Sequence, residues 1–182
     1  FAFFQADRLV LSLHYEHTKD GFGVCRSISG ESQKCEGANE ESYRTALQSA
    51  LRLAAEQKIV TDESPLQAVG VRVVAPGDYF QRHRLVDDQF RERLSKQALV
   101  APLHVPPILE ELAVIKGSLP AVPVYALSDS AFHTTIPEAR RQLSFPTGLA
   151  NEHGLKRYGY HGLSMASVTR RLESFFGFMP ER

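Results

Sequence analysis

The chain has 182 residues, with 21 basic and 21 acidic side chains and a formal net charge of zero, so no global field draws it to nucleic acid or to an anionic membrane. A hydrophobic fraction of 43% is ordinary for a globular protein, and no apolar run approaches the roughly 20 residues that span a bilayer. The length suits one domain or slightly more, and without an internal linker, repeat or low-complexity tract the chain is expected to form one domain over residues 1–182.

The N-terminus, Phe1-Ala2-Phe3-Phe4-Gln5, has no initiating Met and no basic secretory region. Arg8 to His14 is apolar and β-rich, and Gly21 to Cys25 continues a meander after a Thr18-Lys19-Asp20-Gly21 turn. Ser27 to Glu40 is polar and Gly-containing, and is expected to be loop. Glu41 to Gln57 has helical spacing, with Tyr43, Leu47, Ala50, Leu51 and Ala54 on one face. Leu66 to Val74 reads as a central strand that Ala75-Pro76-Gly77-Asp78 stops. Short amphipathic helices follow over Asp87–Gln97 and Pro106–Lys116, the second with Pro where a missing N–H costs little. Val122 to Leu127 is the next strand, Arg140 to Phe145 is ambiguous, and Gly162 to Phe176 is a helix with Met165, Val168, Leu172 and Phe176 on one side. Strands alternating with helices predict an α/β fold with a mixed, largely parallel sheet flanked by helices.

The two cysteines, Cys25 and Cys35, make neither a disulfide framework nor a Cys-x-x-Cys motif. They are expected to be unlinked thiols in a reducing cytoplasm. His14 and His17 have no acid or thiol cluster beside them to complete a zinc site.

Four positions carry chemistry. Asp129 follows the buried strand that ends at Leu127, where open α/β sheets place ligands. A carboxylate there can hold Mg²⁺ or position an acceptor for phosphoryl transfer; the plainer role is an N-cap of the turn through Thr134-Thr135-Ile136-Pro137. Arg72 interrupts an apolar strand, and alternation lets it face a cleft while Val71 and Val73 pack inward. Its fork suits a carboxylate or phosphate, and a structural ion pair is the alternative. His161 lies between Gly159 and Gly162 just before a helix whose N-terminus attracts anions. It can donate to a transferring phosphoryl group or cap the turn. His104 sits in a Pro-rich turn, Ala101-Pro102-Leu103-His104-Val105-Pro106, with the turn itself as its plainer explanation.

Taken in order, these segments resemble the acetate kinase family. The family carries a His-Arg-Val-Val-His-Gly-Gly run, then Ala-Pro-Leu-His-Asn-Pro, then Phe-Asp-Thr-Ala-Phe-His-x-Thr-Met-Pro, then Arg-Tyr-Gly-Phe-His-Gly-Thr-Ser-His. The counterparts here are Val71 to Gly77, Ala101 to Pro106, Ser128 to Pro137 and Arg157 to Met165. The resemblance implies the ribonuclease H-like, actin-like ATPase fold and Mg²⁺-assisted phosphorylation of acetate by ATP. It implies Asp129 as the catalytic acid near Mg²⁺, and Arg72 as the group orienting acetate and the moving phosphate. His161 would steady the phosphoryl group, and His104 would be a further active-site histidine. Val74, Leu103 and Tyr160 would form the pocket for the acetate methyl. A propionate or butyrate kinase, or a non-catalytic module of the same fold, are the alternatives.

The chain departs from the family at Val71, at Ala75-Pro76-Gly77, at Val105 and at Leu163-Ser164-Met165, each change being expected to remove a polar group from near the cleft. Phe1 resembles the end of the family's Asn-x-Gly-Ser-Ser-Ser-x-Lys-Phe turn, and Pro180-Glu181-Arg182 falls just before its next strand and Gly-rich nucleotide turn. The resemblance therefore implies an incomplete N-terminal domain, inactive alone, from a cytoplasmic parent that forms a homodimer.

Overall fold

A computed structural model describes residues 1–177; Pro180, Glu181 and Arg182 lie outside the described residues. The chain forms two compact units, one of residues 1–67 with 114–120, the other of residues 68–113 with the chain from 121 onward.

The first unit is an antiparallel meander of four strands, β1 (Ala2–Gln5), β2 (Arg8–Thr18), β3 (Gly21–Ile28) and β4 (Lys34–Ala38), paired in sequence order. The β2–β3 turn closes as its composition predicts. The Thr18 hydroxyl donates to the Gly21 carbonyl (3.1 Å) and accepts from the Asp20 amide (3.3 Å), while Gly21 takes a φ of 120°. The apolar residues Phe3, Val10, Leu11 and Leu13 form a core with Ala50 and Ala54. These alanines lie on α2 (Ala46–Glu56), which follows a short α1 (Glu40–Arg44). Asn39 caps α1 by accepting from the Ser42 amide at 2.7 Å. The single helix expected over Glu41–Gln57 is broken at Thr45, whose hydroxyl (2.8 Å) and amide (2.9 Å) both donate to the Glu41 carbonyl.

The expected loop after Ser27 contains β4, and that strand overturns the reading of the cysteines. Cys25 on β3 and Cys35 on β4 are direct cross-strand partners and are joined as a disulfide. Their separation along the chain is turned into adjacency by a hairpin that the polar sequence does not announce.

In the second unit β5 (Val69–Val73) and β7 (Val124–Ser128) run parallel, and the two-residue β6 (Arg84–Leu85) pairs antiparallel with β7, giving the order β5-β7-β6. The sheet is mixed, as expected. Helices α3 (Asp88–Ser95), α4 (Val105–Ser118, here through Ala113), α5 (Glu138–Arg141), α6 (Thr147–His153) and α7 (Gly162–Phe176) complete the unit, with 3-10 turns at Asp78–Gln81 and Ala131–Thr135. Asp87 caps α3, accepting from the Phe90 amide at 2.7 Å. Strand alternation buries Val71, Val73, Val124, Ala126 and Ser128 on one side and leaves Gly70, Arg72 and Tyr125 exposed on the other. Phe80, Phe90 and Leu94 are buried in the core, with the two rings edge-on at 5.7 Å.

Candidate active site

Because β5 and β7 are parallel and in register, their carboxyl ends arrive together. The ladder runs one residue past β7, the Asp129 amide donating to the Val73 carbonyl at 3.0 Å. That bond fixes Asp129, which is 1% exposed. A buried carboxylate requires partners, and two segments supply them. Arg72 meets it in fork geometry, Nε to Oδ1 at 3.0 Å and Nη2 to Oδ2 at 2.9 Å. The His161 amide donates to Oδ2 at 2.6 Å. The Asp129 carbonyl accepts from the Gly162 amide at 2.7 Å. Asp129 therefore caps the distant helix α7 through its carboxylate and its carbonyl, and leaves the turn that follows it uncapped by a side chain.

The electrostatics follow from these contacts. Burial pushes the Asp129 carboxyl up, but the Arg72 hydrogen bonds, the His161 amide and the nearby Arg72 and His161 charges outweigh it, and the group titrates below the usual carboxylate range. Arg72 is raised in turn, chiefly by its bond to Asp129. Its side chain is 53% exposed, so the guanidinium N–H groups not used by Asp129 are open to an anion.

The backbone at the other wall is tight. His161 sits at φ +60°, a left-handed conformation costing roughly 1–2 kcal/mol outside glycine. A Cβ on Gly162 would lie 3.0 Å from the Phe132 Cβ and 3.2 Å from the Asp129 carbonyl carbon. Ser128, next to Asp129, is tied down as well: its hydroxyl donates to the Phe80 carbonyl and its amide to His83 Nδ1 at 3.0 Å.

Arg72, Asp129 and His161 are thus joined, His161 by its backbone amide. Tyr160 is adjacent and 40% exposed; burial and then the Asp129 charge push its phenol up. Val74 follows β5 and is half-buried. Leu103 and His104 lie in the exposed turn ahead of α4, where the His104 amide bonds the Ala101 carbonyl at 3.1 Å; the hydrogen bonds that gather the other three do not reach them. As a cation site, Asp129 is a poor direct ligand in this arrangement, since its carboxylate is buried, Oδ2 accepts two donors and Oδ1 a third. Among the described residues no three His, Cys, Asp or Glu side chains cluster as a metal site.

The departures from the family motifs also find a place. Val71, Ala75 and Val105 are 6%, 1% and 0% exposed, so the apolar residues at these positions pack in the core instead of emptying a cleft of polar groups. Met165 alone of the four is exposed, at 47%.

The sequence matches the Acetokinase family model over residues 4–181. The chain belongs to this family. Among relatives of this acetokinase-family chain, the acetate kinase of Streptomyces avermitilis is 33% identical over 166 residues, which is 91% of this chain and 39% of that enzyme. The acetate kinase of a Sulfurovum species is 36% identical over 130 residues, covering 71% of this chain and 33% of the enzyme. The chain thus spans well under half the length of these relatives. A propionate kinase structure from Francisella tularensis superposes with a TM-score of 0.78 at 25% identity, covering 95% of this chain and 44% of that one. The Porphyromonas gingivalis acetate kinase structure gives 0.75 at 23% identity, covering 96% of this chain and 44% of that chain, and shares the fold.

Two contributors, Arg141 and His133, escape a reading based on side-chain chemistry, whereas Gly162 is already marked by its place beside His161. Gly162 gives Asp129 a close backbone neighbour, and Arg141 is buried and bonds the carbonyls of His133 and Ile136 at 2.9 Å each. His133, inside the third motif, bonds the Tyr160 carbonyl at 2.8 Å. Its place in the motif was the available signal.

Proposed function

We propose that this chain supplies the acceptor-side residues of an acetate kinase-type phosphotransferase, converting ATP and acetate to ADP and acetyl phosphate. The observation that carries the reading is the buried Asp129 holding a half-exposed Arg72 at the carboxyl ends of two parallel strands, beside the N-terminus of α7. An acetate oxygen attacks the γ-phosphorus, the new O–P bond forms as the bond to the ADP oxygen breaks, and ADP leaves. Acetate is already anionic near pH 7, so the step needs no base. It needs positioning and charge neutralisation. Arg72 serves both, binding the acceptor carboxylate or the moving phosphoryl group with the N–H groups Asp129 leaves over. The His161 ring donates to the phosphoryl oxygens. ATP enters as its Mg²⁺ complex, and Asp129, its oxygens taken up by Arg72 and the His161 amide, does not ligate the metal. In this reading Val74, Leu103 and Tyr160 bound the acceptor methyl, His104 completes the site, the parent is a cytoplasmic homodimer, and residues 1–182 alone are inactive because the nucleotide-binding part lies elsewhere.

The test is a hydroxamate assay on the full-length parent and on residues 1–182. The parent turns over acetate, Arg72→Ala lowers kcat about 10²–10³-fold, and the shorter chain shows no turnover. A parent that is inactive, or indifferent to Arg72→Ala, overturns the reading. The propionate kinase neighbour at 25% identity makes chain length the second question. One methylene is worth only about 1–3 kcal/mol, and relative kcat/KM on acetate, propionate and butyrate answers it.

A further inference from the structure

We propose that His133 is a positioning residue that aims the His161 amide at Asp129 by clamping the Tyr160–His161 peptide group. The imidazole Nε2 stands 2.8 Å from the Tyr160 carbonyl oxygen. A carbonyl only accepts, so Nε2 carries the hydrogen and His133 is the donor. The amide on the other side of the same peptide bond donates to Asp129 Oδ2 at 2.6 Å. The peptide group is planar, with C=O and N–H pointing in opposite directions. Fixing the oxygen therefore fixes the line of the N–H. The clamp matters here because His161 is held at φ +60°, where an unrestrained non-glycine residue relaxes toward negative φ.

The clamp is itself built on fixed parts. A Cβ on Gly159 would lie 2.5 Å from the His133 ring atoms Cγ and Cδ2, so the ring packs directly against a backbone that only glycine allows, at φ +77°. The His133 carbonyl accepts from Arg141 Nη2 at 2.9 Å and from the Ile136 amide at 3.1 Å, and the His133 amide donates to the Ser130 carbonyl at 3.1 Å. Arg141, 7% exposed, is anchored by Nε to the Ile136 carbonyl (2.9 Å) and by Nη1 to Gln81 Oε1 (3.2 Å). A chain of fixed contacts thus runs from Arg141 through the His133 backbone and ring to the Tyr160–His161 peptide and the Asp129 carboxylate. Protonation does not break it, since Nε2–H is present in both the neutral Nε2–H tautomer and the imidazolium. The inference rests on the phosphotransfer reading only for the purpose of Asp129, and its test reads no turnover.

The experiment is nuclear magnetic resonance on residues 1–182. In the unmodified chain the neutral His133 ring is expected to carry its proton on Nε2, and an Nδ1–H tautomer overturns the proposal. His133→Phe keeps a ring against Gly159 but removes the donor, whereas His133→Gln returns an N–H near the Nε2 position. In His133→Phe, exchange of the His161 amide is expected to quicken at least tenfold and the Asp129 carboxyl to titrate higher, with the Val71 and Ala126 amides unchanged. His133→Gln is expected to stay within about threefold of the unmodified chain. Unchanged His161 exchange and Asp129 titration in His133→Phe, or equal losses in both variants, overturn the proposal. If His133→Phe does not fold, the tautomer of the unmodified chain decides alone.

Discussion

Gly162→Ala is the sharpest probe of how the site is built, because its sign opposes the usual effect. At a helical position with room for a methyl, Gly→Ala stabilises by about 0.4–1 kcal/mol, chiefly by restricting the unfolded chain. Gly117 in α4 and Gly148 in α6 have nothing within 4 Å of an added Cβ and should behave this way. At Gly162 the Cβ would press on the Asp129 carbonyl, 3.2 Å from its carbon, and come within 3.0 Å of the Phe132 Cβ. The obstacle is backbone, and it cannot swing aside as a side chain can. Asp129 is pinned by its amide to the Val73 carbonyl (3.0 Å) and by Arg72 on its carboxylate. The start of α7 must retreat instead, which stretches the 2.7 Å bond from the Gly162 amide to the Asp129 carbonyl. Overpacking costs about 1–3 kcal/mol and the weakened hydrogen bond about 0.5–1.5 kcal/mol. Set against the entropic gain, the net is a destabilisation of roughly 1–4 kcal/mol. Urea unfolding followed by far-UV circular dichroism measures all three variants. A Gly162→Ala chain as stable as Gly148→Ala would show that the contact between Asp129 and α7 is looser than described.

Two further outcomes follow from the same geometry. The Asp129 carboxyl titrates lower folded than unfolded, where its value is about 3.9, so its contribution to stability is complete above that value and is lost as pH falls through the lower folded one. The stability advantage over Asp129→Asn should therefore shrink below about pH 4, and parallel pH profiles for the two chains would refute the ion pair. The Cys25–Cys35 link closes a loop of sequence separation 10, worth about 2–3 kcal/mol on loop-closure grounds; reduction should lower the urea midpoint of the first unit, and an unchanged midpoint would mean the pair does not form.

What could be read in advance depended on how much burial each element imposes on its residues. Helix α7 was expected over Gly162–Phe176 and occupies those residues, because a 3.6-residue period over a long segment has no good rival. Strands β5 and β7 were visible as Val-rich runs, with ends shifted by up to three residues. β4 was invisible. Lys34–Ala38 is almost wholly exposed, so nothing in its composition alternates, and it exists through backbone pairing to β3 and the cystine. β6 has two residues and no period at all. The break at Thr45 falls at one residue, which a count of apolar faces does not register.

For the site, the residue types were legible and their relations were not. Arg72 stood out as a charge in an apolar strand and Asp129 as an acid after one, yet each had a plainer structural role. The two prove to be each other's partner across 57 residues of sequence, so the ion pair that was the plainer role of Arg72 is present. His161 reaches Asp129 by an amide every residue except proline possesses, which no side-chain motif encodes. The geometry also narrows what Asp129 does. An effective general base needs a pKa near working pH, and a carboxylate held below its ordinary range by a guanidinium and an amide is far from that. Its carboxylate instead fixes the Arg72 charge beside the strand ends, and in the proposed reaction the acceptor is already an anion and needs no base.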